Sequence, residues 1–280
     1  MFQAGLLAGK RALITGGGTG LGEAMARRFA ELGASLVLTG RRAEVLDVAA
    51  ERIRADFGAH VQTIACDVRD SQAVDAMVDA AWSVAPVDVL VNNAAANFIA
   101  QTEHLSARAA DAILAPTLHG ALYCTLALGK RWIESGRRGV ILSILSTSTI
   151  TGRAFTVPSA MAKSAQLAMI RSLAVEWGPK GIRCVAIAPG PFPTPGATGQ
   201  LNPAGRDNSY EKRNPLKRAG DHRELADLAS YLVSDHAGYI NGEMVTIDGG
   251  MHLRTSGAED LLEWSDEQWA ELRQRRGATK

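Results

Sequence analysis

Ala12-Leu-Ile-Thr-Gly-Gly-Gly-Thr-Gly-Leu-Gly22 decides the fold: a short apolar run breaks into a glycine-rich turn, and a helix-period segment through Met25 and Phe29 follows at once. Glycines let a backbone come close to a pyrophosphate, and the N-terminus of the following helix presents free N–H groups and the positive end of its dipole. A glycine-rich turn alone would be weak evidence. Its position between a first strand and a helix makes it informative. Gly16, Gly18, Thr19, Gly20, Leu21 and Gly22 are therefore candidate cofactor-binding residues.

The same strand-then-helix rhythm continues outward. Ser35-Leu-Val-Leu38, Val61-Gln-Thr-Ile-Ala65, Val87-Asp-Val-Leu-Val91, Val140-Ile-Leu-Ser-Ile144, Cys184-Val-Ala-Ile-Ala188 and Met244-Val-Thr-Ile247 are strand-like and are separated by longer amphipathic segments. The alternation predicts an α/β fold: a single-domain, Rossmann-like, doubly wound parallel sheet of about seven strands with helices on both faces. One domain over 1–280 is expected. The stretch 190–221, rich in Pro, Gly and Asn, is too long for a simple connector and reads as a substrate lid. In the tail, 251–280, Ser265 and Gln268 fit a helix capping box, and Trp264 and Trp269 offer apolar anchors for docking on a neighbouring surface.

A formal charge of +1, from 30 basic and 29 acidic residues, gives no footprint for nucleic acid or an anionic membrane surface. The expected ligand is a small molecule. No apolar run suggests a membrane span, and the N-terminus has no secretory stretch. Cys66, Cys124 and Cys184 lie in apolar runs with no CxxC pair, which suits reduced core thiols and a cytoplasmic location. His60, His104, His119, His222, His236 and His252 show no metal-ligand spacing, and no metal is expected.

At the end of the second strand, an NAD-specific protein places a carboxylate for the ribose hydroxyls. This chain has Gly40-Arg41-Arg42, which favours a 2′-phosphate and so NADPH. Ser159-Ala-Met-Ala-Lys163 puts a serine where a nicotinamide oxidoreductase of this shape would carry a tyrosine four residues ahead of the lysine. None of Tyr123, Tyr210, Tyr231 or Tyr239 precedes a lysine by four. Ordinary ketone reduction, which needs a phenol-like proton donor, is disfavoured. Pro116 removes a helical N–H and predicts a bend beside His119, a residue suited to a structural hydrogen bond or to proton donation.

Gly16 to Gly22, Asn92-Asn93-Ala94-Ala95, Lys163 and Pro189-Gly190-Pro191 together resemble the short-chain dehydrogenase/reductase family. Asn92-Asn-Ala-Ala-Ala-Asn-Phe98, Val157-Pro-Ser-Ala-Met-Ala-Lys163, Pro189-Gly-Pro-Phe192, Ile240-Asn-Gly-Glu243 and Asp248-Gly-Gly250 are similar to its 2,4-dienoyl-CoA reductase branch, whose members also carry serine in the tyrosine position. The resemblance implies that the Gly16–Gly22 loop holds the pyrophosphate, that Arg41, with Arg42 beside it, meets the 2′-phosphate, and that Asp67 and Val68 face the adenine. It further implies that Asn93 and Ala94 border the adjacent ribose, that Lys163 binds the nicotinamide ribose, and that the backbone of Pro189, Gly190 and Phe192 holds the carboxamide. For an acyl-CoA partner, Asn97 would donate to the thioester oxygen, Phe98 would line the acyl channel, and Arg69 and Ser106 would contact the CoA portion. A homotetramer is implied in the same way.

Two positions depart from that pattern. Ser148 stands where a tyrosine assists Asn97 in the mitochondrial type, and His119 stands where the wider family has a helix asparagine. Ser143, Ser146 and Ser148 are each open as the second donor. The implied activity is NADPH-dependent reduction of an unsaturated acyl-CoA, with 2,4-dienoyl-CoA giving 3-enoyl-CoA. A trans-2-enoyl-CoA reductase and a non-catalytic dinucleotide-binding protein are the alternatives.

Overall fold

Every residue of β1 (Arg11–Thr15) is buried, because β1 pairs with β2 (Ser35–Gly40) on one edge and with β4 (Val89–Asn92) on the other. The computed structural model describes residues 3–194, 196, 200–201, 209–254 and 257–277. Within them β3 (Val61–Ala65), β5 (Gly139–Ile144), β6 (Ile182–Pro189) and β7 (Met244–Ile247) complete one parallel sheet in the order β3-β2-β1-β4-β5-β6-β7. The chain crosses from one half to the other between β3 and β4. A crevice is therefore left beyond the carboxyl ends of β1 and β4, where such sheets bind ligands.

All seven expected strands form, as one Rossmann-like domain. The fourth starts at Val89 rather than Val87, since the Val87 carbonyl accepts from Trp132 Nε1 at 2.6 Å and the Asp88 carboxylate takes the Arg11 N–H at 2.9 Å. Parallel strands buried on both faces should be almost continuously apolar, and they are. On one face α1 (Gly20–Glu31), α2 (Ala43–Phe57) and the helix His222–Val233 pack Met25, Phe29, Leu46, Ile53, Leu225 and Leu232 against the sheet. On the other, α3 (Ser71–Val84), α5 (Gly120–Glu134) and α7 (Val157–Trp177) supply Met77, Leu128, Trp132, Ile170 and Trp177. The three cysteines are buried and unbridged.

Pro116 leaves a clear mark. Between α4 (Ala107–Leu114) and α5, residues Ala115–His119 form one π-helical turn, so the helix runs on rather than stopping. Widening one turn removes the clash of the proline ring and the gap left by its missing N–H, a common origin of single-turn π-bulges. The resulting helix, Ala107–Glu134, is 28 residues long and apolar enough to cross a membrane, a length not anticipated from sequence. Half of its most apolar window is buried within the domain, and α3 and α7 pack along it.

The ends of the 190–221 segment are firmly held. The Gly220 N–H donates to the Pro191 carbonyl at 3.0 Å, Phe192 is buried, and α8 (Tyr210–Arg213) leads to buried Asn214. Residues 195, 197–199 and 202–208, on which much of the expected lid falls, lie outside the described residues. The helix His222–Val233, here α9, opens with a capping box of Asp221 and Glu224. In the tail, Ser265 N–H donates to Gln268 Oε1 at 2.8 Å and Gln268 N–H to Ser265 Oγ at 3.4 Å, which caps α10 (Asp266–Gly277) as expected. The expected docking is a different matter. Trp264 and Trp269 pack on each other, centroids 5.0 Å apart, as a hydrophobic staple, and among the described residues α10 buries none against the domain.

Candidate active site

The glycine loop is folded tightly against β2 and β4. Gly16 and Gly17 N–H groups donate to the Thr39 carbonyl at 2.7 and 3.3 Å. Thr15 Oγ1 donates to the Val91 carbonyl at 3.2 Å and accepts from the N–H groups of Asn93 and Ala94 at 2.9 and 3.0 Å. Asn93 Nδ2 donates back to the carbonyls of Thr15 and Gly16 at 2.9 and 3.3 Å. Both side-chain amide hydrogens and the backbone N–H of Asn93 are thus spent on the loop's shape.

Two glycines there are required by geometry. Gly16 has φ +65°, and a Cβ on Gly22 would lie 2.2 Å from the Gly16 carbonyl oxygen. Thr19 opens α1 without a side-chain cap, so the first N–H groups of the helix face the crevice unshielded by a hydroxyl. This cradle fits a dinucleotide pyrophosphate.

Beyond β2 and β3 the rim is cationic. Arg41 and Arg42 are exposed and make no ion pair among the described residues. Asp67 accepts from Arg69 Nε at 2.9 Å and Nη2 at 2.5 Å. That fork, ahead of a smaller attraction to Arg41, holds the Asp67 carboxyl below its ordinary range. The Arg69 guanidinium folds back two residues to pair with Asp67. Val68 is buried against Gly120, whose added Cβ would lie 2.6 Å from Val68 Cγ2. Ser106 caps α4, accepting from the Ala109 N–H at 3.2 Å.

The other half of the site is built on β4, β5, α7 and β6. Asn97 and Phe98 are half-buried in the loop after β4, and Asn97 Oδ1 is buried without a protein partner. Lys163 and Ser159 are buried together, one turn apart on α7. Lys163 Nζ donates to the Ile144 carbonyl at 2.6 Å, and burial pushes its pKa down to about 8. Gly190 at the end of β6 donates to the Ile247 carbonyl at 2.9 Å, and Thr147 donates to the Pro189 carbonyl at 3.4 Å. The backbone through Phe192 is thereby fixed beside α6 (Ser148–Thr151).

The three serines separate. Ser143 is wholly buried within β5 with an unpartnered hydroxyl, which takes it out of reach of a substrate oxygen. Ser146 Oγ accepts from the Ser148 N–H at 3.3 Å, leaving its proton to donate, and Ser148 is buried at the start of α6. His119 lies at the end of the π-turn. It is exposed, its ring 6.2 Å from that of Tyr123 across one helical turn. The inward residue is Thr117, fully buried in line with Ile113 four residues before it and Ala121 four after. Thr117 and its neighbour Gln166 escaped the sequence reading. Their one signal was a polar residue on an otherwise small and apolar face, three beyond Lys163. Among the described residues no group of His, Cys, Asp and Glu is arranged to hold a metal.

A titration follows from the burial of Lys163. The ammonium is the form that can bridge two ribose hydroxyls while donating to Ile144, and it is lost as pH rises through about 8. Affinity for a nicotinamide dinucleotide is expected to hold from pH 6.5 to 7.5 and to weaken steadily above 8. Fluorescence titrations across that range check it, and a flat profile to pH 9.5 counts against a charged Lys163 in cofactor binding.

Residues 16–252 match the family described as enoyl-(acyl carrier protein) reductase. A Caenorhabditis elegans protein named probable 2,4-dienoyl-CoA reductase 3, (3E)-enoyl-CoA-producing, is 39% identical over 97% of this chain and 91% of its own. A Bacillus subtilis protein named probable 2,4-dienoyl-CoA reductase, (2E)-enoyl-CoA-producing, is 40% identical over 87% of this chain and 97% of its own. Among solved structures, a short chain dehydrogenase from Bacillus anthracis superposes with a TM-score of 0.80 at 40% identity, covering 88% of this chain and 98% of that one.

Proposed function

Because the chain belongs to the short-chain dehydrogenase/reductase family, in its 2,4-dienoyl-CoA reductase-like branch, we propose that it is an NADPH-dependent reductase of unsaturated acyl-CoA thioesters that converts 2,4-dienoyl-CoA to 3-enoyl-CoA. The observation that carries the reading is the pairing of an intact Lys163 with Ser159 one turn before it: a cofactor-binding lysine without the phenol that carbonyl reduction needs. Bound NADPH supplies a hydride. The Gly16–Gly22 loop and the N-terminus of α1 would hold its pyrophosphate, Lys163 its ribose, and Arg41 and Arg42 its 2′-phosphate.

In a conjugated 2,4-dienoyl thioester, hydride adds at C5, the far end of the double-bond system, and the electron pair moves through to the thioester oxygen. No alcohol oxygen has to be protonated. What the protein must provide is aimed, non-titrating donors at that oxygen, a task suited to Asn97 Nδ2 and to the hydroxyl of Ser146 or Ser148. Protonation of the dienolate at C2 gives the 3-enoyl product, and protonation at C4 gives the 2-enoyl product named for the Bacillus subtilis relative. The test is NADPH oxidation against a panel of 2,4-dienoyl-, trans-2-enoyl- and 3-oxoacyl-CoA, with the product double bond located by NMR. Turnover of the dienoyl thioester with the 3-oxoacyl thioester inert is expected. Turnover of the 2-enoyl thioester alone selects that narrower activity, and tight NADPH binding with no turnover leaves a binding protein.

Cofactor choice is tested separately. NADPH should bind more tightly than NADH, and Arg41→Ala should remove roughly 1.5–3 kcal/mol of that preference, the scale of a charge-assisted hydrogen bond. Equal affinity of the unmutated protein for both cofactors removes Arg41 from this role.

A further inference from the structure

Asn97 is asked to hold a donor on a developing charge, yet its own side chain is not tied down: Oδ1 is buried with no protein partner. An amide in a loop can be placed to within an ångström only if something fixes the backbone behind it. That support comes from helices far off in sequence. Thr117 Oγ1 accepts from the Ala96 N–H at 3.1 Å and donates to the Ala96 carbonyl at 3.3 Å, gripping both polar groups of the residue immediately before Asn97. Thr117 is itself held, because Gln166 Nε2 donates to the Thr117 carbonyl at 2.6 Å. That carbonyl lies within the π-turn. Gln166 stands three residues beyond Lys163 on α7, so the clamp grows from the same helix that carries the ribose-binding lysine. Thr117 and Gln166 are both buried, at 0% and 1% exposure, which keeps water from competing for these bonds.

On the reading of Asn97 as donor to the thioester oxygen, we propose that Thr117 and Gln166 are positioning residues that aim Asn97. Lys163 and Asn97, which must act on opposite partners of the hydride transfer, would then share one rigid support. Neither Thr117 nor Gln166 need touch the substrate.

Four variants test this in the full-length protein: Thr117→Val, Thr117→Ser, Gln166→Met, and Thr117→Val combined with Asn97→Ala. Thr117→Val keeps the shape and removes the hydroxyl; Thr117→Ser keeps the hydroxyl. Thr117→Val and Gln166→Met should lower kcat on dienoyl-CoA roughly 10- to 100-fold, the cost of misplacing a group by about 1 Å, with NADPH Kd unchanged. Thr117→Ser should restore turnover. Combined with Asn97→Ala, Thr117→Val should add little, since it acts through Asn97. Hydrogen–deuterium exchange of the 93–101 loop gives a readout independent of activity: faster exchange in Thr117→Val and Gln166→Met, ordinary exchange in Thr117→Ser. Unchanged exchange in the first two, or kinetic effects that multiply with those of Asn97→Ala, overturns the clamp. If Asn97→Ala alone leaves the rate intact, the assigned oxyanion site fails, and exchange still decides whether the clamp holds the loop.

Discussion

Asn97→Ala should cut kcat on 2,4-dienoyl-CoA by about a hundredfold or more, the usual loss when one aimed oxyanion donor is removed, with NADPH affinity nearly untouched. The split follows from location. Asn97 lies in the loop after β4, and the groups placed on the cofactor lie on the glycine loop, at the end of β2 and on α7. A donor that strengthens only as charge moves to the thioester oxygen appears in kcat and not in ground-state binding. Steady-state NADPH oxidation and a cofactor titration on both proteins measure the two terms. If the alanine variant turns over dienoyl-CoA at the parent rate, Asn97 is not the donor and the thioester chemistry loses its main support.

Gly22→Ala is expected to have an effect as large on a different quantity. The added Cβ would sit 2.2 Å from the Gly16 carbonyl oxygen and 2.7 Å from Asn93 Nδ2. The first neighbour is backbone, and the second is fixed by its bonds to Thr15 and Gly16, so neither can swing aside. The loop itself has to move. That displaces the N–H groups of the α1 terminus together and strains a packed junction, with a stability loss of roughly 1–3 kcal/mol and NADPH affinity down by about a hundredfold. Gly18→Ala provides the contrast, since its nearest neighbours are Val45 Cγ1 at 3.1 Å, Leu46 Cδ2 at 3.2 Å and the Val45 carbonyl at 3.3 Å, contacts that need shifts of only a few tenths of an ångström. Isothermal titration with NADPH compares the two. Binding by Gly22→Ala at the parent affinity would mean that the loop is not the pyrophosphate seat.

Sequence alone reached most of the architecture, because most of it is local. Seven apolar runs with helix-period segments between them can close as a doubly wound sheet in few ways, and the glycine loop after the first of them marks where a dinucleotide goes. The four-residue spacing of Ser159 and Lys163 placed both on one face of a helix, and both are buried there. The Ser265 and Gln268 cap was equally legible, being a matter of three residues and two hydrogen bonds.

What tertiary structure decided were the choices that depend on contacts across many residues or on the phase of a helix. Ile113, Thr117, Ala121 and Cys124 form the buried row through the wide turn at Ala115–His119, and a residue two places from Thr117 falls on the opposite face. His119 therefore faces outward while Thr117 faces the site, although the sequence marks the histidine as the more reactive of the two. The pairing of Arg69 with Asp67 two residues away is a tertiary detail of the β3 loop. The bridge from Gln166 through Thr117 to Ala96 joins α7, the π-turn and the β4 loop. No spacing in the chain announces it, because its members meet only once the sheet has brought those three segments together.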